Sequence, residues 1–225
     1  GNDYIISGKL VNQKDGSDFI AAGNPVKKTI TVSVSEDGKF TTNGGKNATV
    51  VSYDKTAHQV DGTVEMEFSF DSSQLAGETA VVFEDLIHNG ITVASHKDIK
   101  DHGQTIYIPK INTNANDTYT KDNVGTVTKT AKLTDTVKYD NLVIGKTYTV
   151  SGVLMIKDES KALTDAKGNV IRASKTFVAG EEGDGVKVSK KNDELGSVSG
   201  SADITFEFDS SLLEGKTLVA FEKLH

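Results

Sequence analysis

The sequence has no cysteine and no tryptophan, and only two of its 225 residues are proline. Without cysteine the chain has no disulfide bonds, no thiolate zinc ligands and no thiol nucleophile. A complete lack of cysteine is also weak support for an exported protein that avoids stray oxidation. Stability must therefore come from a source other than disulfides.

Positive charge is scarce as well. Lys and Arg number 25 against 32 Asp and Glu, which gives a net charge of -7. No basic stripe forms, so we expect no nucleic-acid partner and no binding to an anionic membrane. The sequence contains no signal peptide and no membrane span, although a fragment would have lost either one, and we expect no membrane insertion. The length and composition predict two globular domains.

An internal repeat organises the chain. The stretch "GNDYIISGKL" (residues 1–10) resembles "GKTYTVSGVL" (145–154), and "FSFDSSQLAGETAVVFEDL" (68–86) resembles "FEFDSSLLEGKTLVAFEKL" (206–224). We predict one domain over residues 1–110 and a second over 111–225. We expect the first domain to lack its N-terminal strands and the second to lack its C-terminal strand, so that both are truncated.

The hydrophobic pattern is typical of β-strands. Apolar residues alternate with polar ones through Val64, Met66, Phe68 and Phe70, and clusters of Gly, Asn and Asp separate such stretches. No 12-residue window has a helical stripe, although "DSSQLAG" and "DSSLLEG" each favour one short helical turn. We predict an all-β chain of two immunoglobulin-like (Cna-B-like) β-sandwich domains in tandem.

Two glutamates interrupt apolar strand faces. Glu84 shares its face with Val82 and Leu86, and Glu222 occupies the matching place in the second copy. A carboxylate there is costly unless it is paired, hydrogen-bonded or protonated. One alternative is a strand-end glutamate that reaches solvent, but recurrence in both copies favours a functional role. We predict that both carboxyls are buried and hydrogen-bonded.

Three motifs carry a resemblance to a known family. They are "TDTVKYDNLVIGKTYTVSGVL" (134–154), "FDSS" followed by "VVFEDL" or "VAFEKL", and "ASHKDIKDHGQT" (94–105). They resemble the VaFE repeats of Gram-positive surface-anchored adhesins, which are immunoglobulin-like domains. The resemblance implies an ester bond, formed when a Thr hydroxyl on the first strand attacks a Gln amide on the last strand and releases ammonia.

The resemblance also implies roles for individual residues. Gln104 matches the amide donor, and His96 matches the family histidine. Thr113 in "PKINTNAND" fits the nucleophile, with Thr118 as the second choice. The remaining matches are acidic, namely Asp135, Glu84 and Glu222. Glu67 and Glu207, on the preceding strands, are alternatives to the two glutamates of the name motif.

The expected function follows from the same resemblance. The domains would be stalk repeats of an extracellular, cell wall-anchored adhesin, with the anchor outside this sequence. Their partners would be neighbouring repeats, and a host ligand would be bound through other domains. We expect no cofactor, no metal and no enzymatic turnover beyond a single autocatalytic cross-link.

Other interpretations remain open. His96 and Asp98 could belong to a hydrolase, although no nucleophile elbow or metal-ligand set accompanies them. Lys110 and Asn112 allow a Lys–Asn isopeptide bond instead of the ester. A ligand-binding adhesin domain is a further alternative, but aromatics make up only 7% of the chain. His96 and His102 could simply be solvated loop residues.

The repeat pattern also separates the implied site residues. The first domain holds His96 and Gln104, whereas the second holds Thr113 and Asp135. We therefore predict no ester between Thr113 and Gln104 within one chain.

Overall fold

The computed structural model describes residues 2–225 and is almost entirely β-structure, with 59% of residues in strands and 3% in helices. The chain divides into unit 1, Gly1–Ile108, and unit 2, Pro109–His225. This confirms the predicted all-β class with two tandem sandwich domains. Among residues 2–225, no helix combines the length and hydrophobicity needed to cross a membrane.

Unit 1 contains ten strands and one short 3-10 helix, His102–Gln104. The strands are β1 (Asn2–Asn12), β2 (Ile20–Ala21), β3 (Asn24–Pro25), β4 (Lys27–Val34), β5 (Phe40–Asn43), β6 (Lys46–Asp54), β7 (Gln59–Glu65), β8 (Thr79–His88), β9 (Ile91–His96) and β10 (Thr105–Tyr107).

The main sheet of unit 1 has the order β10-β8-β1-β4-β5, and β9 also pairs with β8. The hairpins β6–β7 and β2–β3 form separate two-stranded sheets. A small core joins β1, β8 and the β2–β3 region, and its most deeply buried members include Leu10, Phe19 and Ala80. Alternation along β1 and β8 supplies one apolar face to this core.

Unit 2 contains eight strands and a 3-10 helix, Lys157–Glu159. The strands are β11 (Lys110–Asp117), β12 (Ala131–Val143), β13 (Thr147–Ile156), β14 (Lys161–Ala162), β15 (Arg172–Val178), β16 (Val186–Asn192), β17 (Ser197–Phe208) and β18 (Leu218–Leu224). One sheet has the order β11-β12-β17-β16, and the other has the order β14-β13-β15 with β18 also paired to β13. A single core cluster of buried residues contains members from β12, β13, β15 and β17.

The matching segments of the two copies differ at one strand. The predicted strand through Val64 and Phe70 forms a ladder only as far as Glu65, where β7 ends. Its counterpart in unit 2 lies inside β17, between β12 and β16. Residues 66–70 keep the alternation of exposed and half-buried side chains, but no described strand pairs with them. The predicted helical turns after "FD" are β-turns instead, in which Asp71 accepts a hydrogen bond from the Ser73 N–H at 2.9 Å.

A glycine at the same place in each unit allows close packing behind the glutamate. Gly8 is opposite Glu84 in the β1–β8 ladder, and Gly152 is opposite Glu222 in the β13–β18 ladder. An ideal Cβ at Gly152 would lie 2.7 Å from Cζ of Phe206, and one at Gly8 would lie 2.8 Å from Cζ of Phe68. At both positions only glycine leaves room for the phenylalanine ring that packs against it.

Candidate functional site: a threonine with two carboxyls

Thr113 and Asp135 lie on adjacent strands of unit 2. Antiparallel β11–β12 pairing places Thr113 opposite Val137 and Ala115 opposite Asp135. Opposite residues share a face and side chains alternate with period two, so Thr113 and Asp135 lie diagonally on one face. Asp135 is completely buried, whereas Thr113 is exposed on its edge strand.

Glu222 reaches the same position from the other sheet. It lies on β18, and its Oε1 atom is buried without a hydrogen-bond partner. The Thr113 hydroxyl and the Asp135 carboxyl both interact with its carboxyl group. Unit 2 therefore brings together three of the residues that the resemblance implied: Thr113, Asp135 and Glu222.

The pKa of Glu222 reflects its position beside Asp135. Desolvation first, and then the hydrogen bond and charge of Asp135, raise the pKa of Glu222 to about 8, although the hydrogen bond with Thr113 lowers it. No N–H or hydroxyl group of the described residues donates to either oxygen of Asp135. Two buried carboxyls this close cannot both ionise without strong repulsion. A pKa of about 8 favours the protonated form of Glu222 at neutral pH, and in that form its hydroxyl can donate to Asp135.

Unit 1 assembles a different part of the implied site. Glu84 lies opposite His96 in the β8–β9 ladder, and Nε2 of His96 is 2.9 Å from a carboxylate oxygen of Asp101. Burial raises the pKa of Glu84, the charge of His96 lowers it, and the charge of Asp101 raises it. Glu84 is half-buried, while the side chain of His96 is about half exposed.

Gln104 follows on the same edge of β8 as β9, because β1 occupies the opposite edge. It is half-buried and ends the 3-10 helix just before β10, whose first residue, Thr105, lies opposite Val81. Continuing that register places Gln104 beside Val82, on the same face of β8 as Glu84. Glu84, His96 and Gln104 are thus grouped around the middle of β8.

The residues around Glu84 in unit 1 and those around Glu222 in unit 2 are two halves of one implied site. Both halves contain the glutamate of the repeat. Glu84 and Glu222 occupy the same position of the repeat, each opposite its glycine. Unit 2 adds Thr113 and Asp135 to this glutamate, and unit 1 adds His96 and Gln104. Within the described residues, neither unit by itself contains both the hydroxyl and the amide.

Sequence reasoning missed Asp101. Its side chain contacts His96 and also accepts from the Gly103 N–H at 2.7 Å, which caps the 3-10 helix that precedes Gln104. Aspartate is a preferred N-cap residue, so "KDHGQ" did contain a signal. The aspartate named in the hydrolase alternative, Asp98, instead accepts from the Lys100 N–H at 2.9 Å.

The alternative site residues lie elsewhere. Glu67 and Glu207 are exposed and form ion pairs with Lys46 and Lys132. The Thr118 hydroxyl is 2.9 Å from the hydroxyl of Thr134.

The residues of the isopeptide alternative share one strand. Lys110 and Asn112 are both exposed on the outward face of β11, so a bond between them would join no two strands. His102 is exposed in the short 3-10 helix.

The two tandem β-sandwich units, one of which places an exposed threonine beside a half-buried and a fully buried carboxyl, define the class of domain to which the comparisons point. The family of T-Q ester bond containing domains matches the chain twice, over residues 1–108 and 109–224. The chain belongs to this family.

Solved structures also resemble the chain. Two crystal forms of a Mobiluncus mulieris adhesin, described as containing intramolecular disulfide, isopeptide and ester bond cross-links, match with 19% and 21% sequence identity. Each has a TM-score of 0.37 and covers 52% of this chain. This chain spans less than half of the adhesin chains, 43% in each case. No curated protein matches the sequence.

Proposed function

We propose that both units are stalk domains of a bacterial surface adhesin, and that each is built to form a Thr–Gln ester cross-link autocatalytically. The observation that carries the proposal is the cluster of Thr113, Glu222 and Asp135. The Thr113 hydroxyl contacts the protonated carboxyl of Glu222, which in turn contacts the buried carboxyl of Asp135. A proton therefore has a short path from Thr113 to Asp135.

Proton transfer along this path activates the nucleophile. The Thr113 hydroxyl proton passes to Glu222 while Glu222 passes its own proton to Asp135. The Thr113 oxygen then attacks the carbonyl carbon of a glutamine side chain, so that a C–O bond forms and the C–N bond breaks. The departing nitrogen takes back one proton and leaves as ammonia, which restores the proton shared by the two carboxyls.

Unit 1 indicates how the amide arrives. In that unit the strand after the one with the glutamate carries His96 opposite Glu84, and Gln104 follows directly before the next strand. The same strands beside Glu222 would bring an imidazole and an amide to Thr113. They would also cover this exposed threonine, and excluding water protects the ester from hydrolysis.

The cross-link supplies the stability that a chain without cysteine cannot gain from disulfides. By chain-entropy arguments, closing a loop of roughly 100 residues contributes about 4.7 kcal/mol. A covalent bond between the first and last strands would also carry tension past the rest of the fold. That property suits an extracellular stalk whose neighbouring repeats are joined in series and whose ligand is bound by other domains.

A peptide ligation experiment tests the chemistry. The intact chain alone is expected to keep its calculated mass, because neither unit by itself holds both the hydroxyl and the amide. A synthetic peptide of residues 90–109 supplies the histidine and glutamine strands to unit 2. We expect a denaturation-resistant adduct whose mass is the sum of chain and peptide minus one ammonia.

Matched variants identify the reacting atoms. The adduct should disappear in Thr113→Ala and with a Gln104→Ala peptide, and it should persist in Thr118→Ala. An adduct that survives Thr113→Ala would mean that another residue is the nucleophile. If the unaltered chain and peptide bind without ever losing ammonia, autocatalysis by this cluster is wrong.

A further inference from the structure

One aspartate connects the histidine and the glutamine of unit 1. Asp101 lies in the segment between His96 and Gln104, and its two carboxylate oxygens have different partners. The Oδ2 atom is 2.9 Å from Nε2 of His96. The Oδ1 atom accepts from the Gly103 N–H at 2.7 Å, which caps the 3-10 helix that ends at Gln104. A single side chain thus contacts both sides of the implied site.

The main chain of Asp101 adds two contacts on the glutamine side. Its carbonyl oxygen accepts from the Thr105 hydroxyl at 2.6 Å and from the Gln104 N–H at 3.2 Å. Thr105 begins β10 and lies opposite Val81 in the ladder with β8. Asp101 therefore ties the turn to the strand whose register sets the position of Gln104.

The hydrogen bond with Asp101 determines the tautomer of His96. A carboxylate only accepts hydrogen bonds, so the Nε2 atom that faces it carries the hydrogen. In the neutral ring the lone pair is then on Nδ1, which is the nitrogen that can accept a proton. The side chain of His96 is 49% exposed. Packing alone therefore does not fix the ring, and the hydrogen bond decides its orientation.

The carboxylate of Asp101 also acts on the glutamate of the site. His96 lies opposite Glu84 in the β8–β9 ladder. Burial raises the pKa of Glu84, the charge of His96 lowers it, and the charge of Asp101 raises it. Asp101 therefore belongs to the same cluster as Glu84, His96 and Gln104.

Asp98 shows what a local turn contact looks like in the same segment. It accepts from the Lys100 N–H at 2.9 Å, two residues ahead, just as Asp101 accepts from the N–H of Gly103. Asp101 differs because its second oxygen reaches back across the loop to the histidine. Capping the turn requires only one oxygen, so the second contact indicates a role beyond the turn.

We propose that Asp101 is a positioning residue for the cross-linking reaction. One oxygen holds His96 as the Nε2–H tautomer, with the lone pair on Nδ1, and the other orders the turn that presents Gln104. The imidazole accepts one proton and returns it during ester formation, so it is unchanged at the end, and Asp101 itself exchanges none. The inference rests on the proposed function, in which the imidazole and the amide are brought to a threonine.

The substitution Asp101→Asn separates the two roles on the intact chain. Asparagine is as good a cap as aspartate, so its carbonyl oxygen can keep the contact with Gly103. Its NH2 group then faces His96 and donates to Nε2, which favours the opposite, Nδ1–H tautomer. Long-range proton–nitrogen NMR of the neutral ring, assigned with His96→Gln, measures the tautomer. We expect Nε2–H in the unaltered chain and in the matched control Asp98→Asn, and Nδ1–H in Asp101→Asn.

Ligation measures the consequence for the reaction. Peptides of residues 90–109 that carry each substitution are added to the intact chain over a range of concentrations. Asp101→Asn should lower the maximal rate about tenfold or more, with a nearly unchanged half-saturating concentration, because it alters proton transfer and keeps the turn. Asp101→Ala should also raise the half-saturating concentration, because the cap is lost. Asp98→Asn should change neither quantity.

Three results would overturn the proposal. The first is an unaltered tautomer of His96 in Asp101→Asn, and the second is an Asp101→Asn peptide that reacts as fast as the unaltered peptide. The third is equal slowing by Asp98→Asn, which would assign the effect to the charge of the loop. If no peptide loses ammonia, the proposed function fails instead, and the tautomer alone decides whether Asp101 fixes the imidazole.

Discussion

At the scale of single residues, the pair of carboxyls formed by Glu222 and Asp135 is the central feature. Neither Asp135 oxygen has another donor among the described residues, and Oε1 of Glu222 is likewise unpartnered. Burial of two ionised carboxyls would be very costly, so the folded state retains a proton that an exposed glutamate would release. The protonation state of the site is therefore tied to the stability of unit 2.

The pH dependence of unit 2 tests this link. The pKa of Glu222 rises from 4.5 to about 8 on folding. Its stabilising contribution is fully present below pH 4.5 and is lost as the pH rises through 8. Hydrogen exchange of the β12 amides, corrected for intrinsic rates, should show protection that declines between pH 5 and pH 9, as this sign requires.

Glu222→Gln supplies the comparison, because a glutamine amide can donate to Asp135 at every pH. We expect a smaller decline in this variant, whereas the exposed control Glu214→Gln should retain the full decline. An unaltered decline in Glu222→Gln would assign the effect to another group.

The glycine behind each glutamate is a second residue-scale constraint. Gly152→Ala places a Cβ within contact distance of Phe206 and Ile204 in the core. We expect destabilisation of unit 2 by about 1–3 kcal/mol, which is typical of overpacking. Pulse proteolysis in urea, with mass spectrometry to assign the fragments to unit 2, measures the change.

Gly125→Ala is the matched control, because an added Cβ there would meet nothing within 4 Å. It should leave the midpoint nearly unchanged or raise it slightly. Equal loss in both variants would contradict the packing explanation.

At the scale of secondary-structure elements, Asp117 organises the end of the strand that carries Thr113. One carboxylate oxygen accepts from the N–H groups of Tyr119 and Thr120 at 2.8 and 3.1 Å, and the other accepts from the N–H of Thr126 at 2.9 Å. Burial alone would raise the pKa of Asp117, but these hydrogen bonds outweigh it and lower the pKa. The loop after β11 is thus closed around one side chain.

Removing this side chain should loosen the strand. Asp117→Ala leaves three backbone N–H groups without this acceptor, and we expect a loss of about 1–3 kcal/mol in the stability of unit 2. Faster exchange of the β11 amides would report it, together with slower ligation at Thr113. The exposed Asp122 also accepts two hydrogen bonds, and Asp122→Ala should have a smaller effect. If Asp122→Ala is the more damaging change, Asp117 does not organise the loop.

The sequence predicts elements well where local pattern decides them and poorly where a distant partner does. Alternation was sufficient to place apolar faces on the strands and to single out Glu222 as an acidic residue on one of them. It could not show that β7 ends at Glu65, because pairing depends on a neighbouring strand. Asp101 was missed for a similar reason, since its contact with His96 depends on how the turn between them folds.

At the scale of the whole chain, the two units differ in how much of one sheet is covered by the other sheets of the same unit. Unit 2 has two four-stranded sheets around one core, whereas the described residues of unit 1 form one six-stranded sheet and the two-stranded hairpins β2–β3 and β6–β7. Less apolar surface is buried at the β6–β7 hairpin, and buried apolar area is the main source of stability. The repeat in the sequence revealed the common architecture but not this difference in cover.

Unit 1 should therefore open first. In increasing urea, we expect exchange and proteolysis to begin in the β6–β7 hairpin and residues 66–70. The matching β16–β17 hairpin of unit 2 is an internal control and should stay protected to higher urea. Simultaneous loss of both hairpins would show that the uncovered edge does not weaken unit 1.

The cluster in unit 2 also separates two tasks. Thr113, Asp135 and Glu222 are held by β11, β12 and β18, three strands of the same unit. Under the proposed mechanism these strands position the hydroxyl and both acid groups, and a glutamine strand has only to deliver its amide. Docking of that strand, and not assembly of the acid groups, would then set the pace of cross-linking.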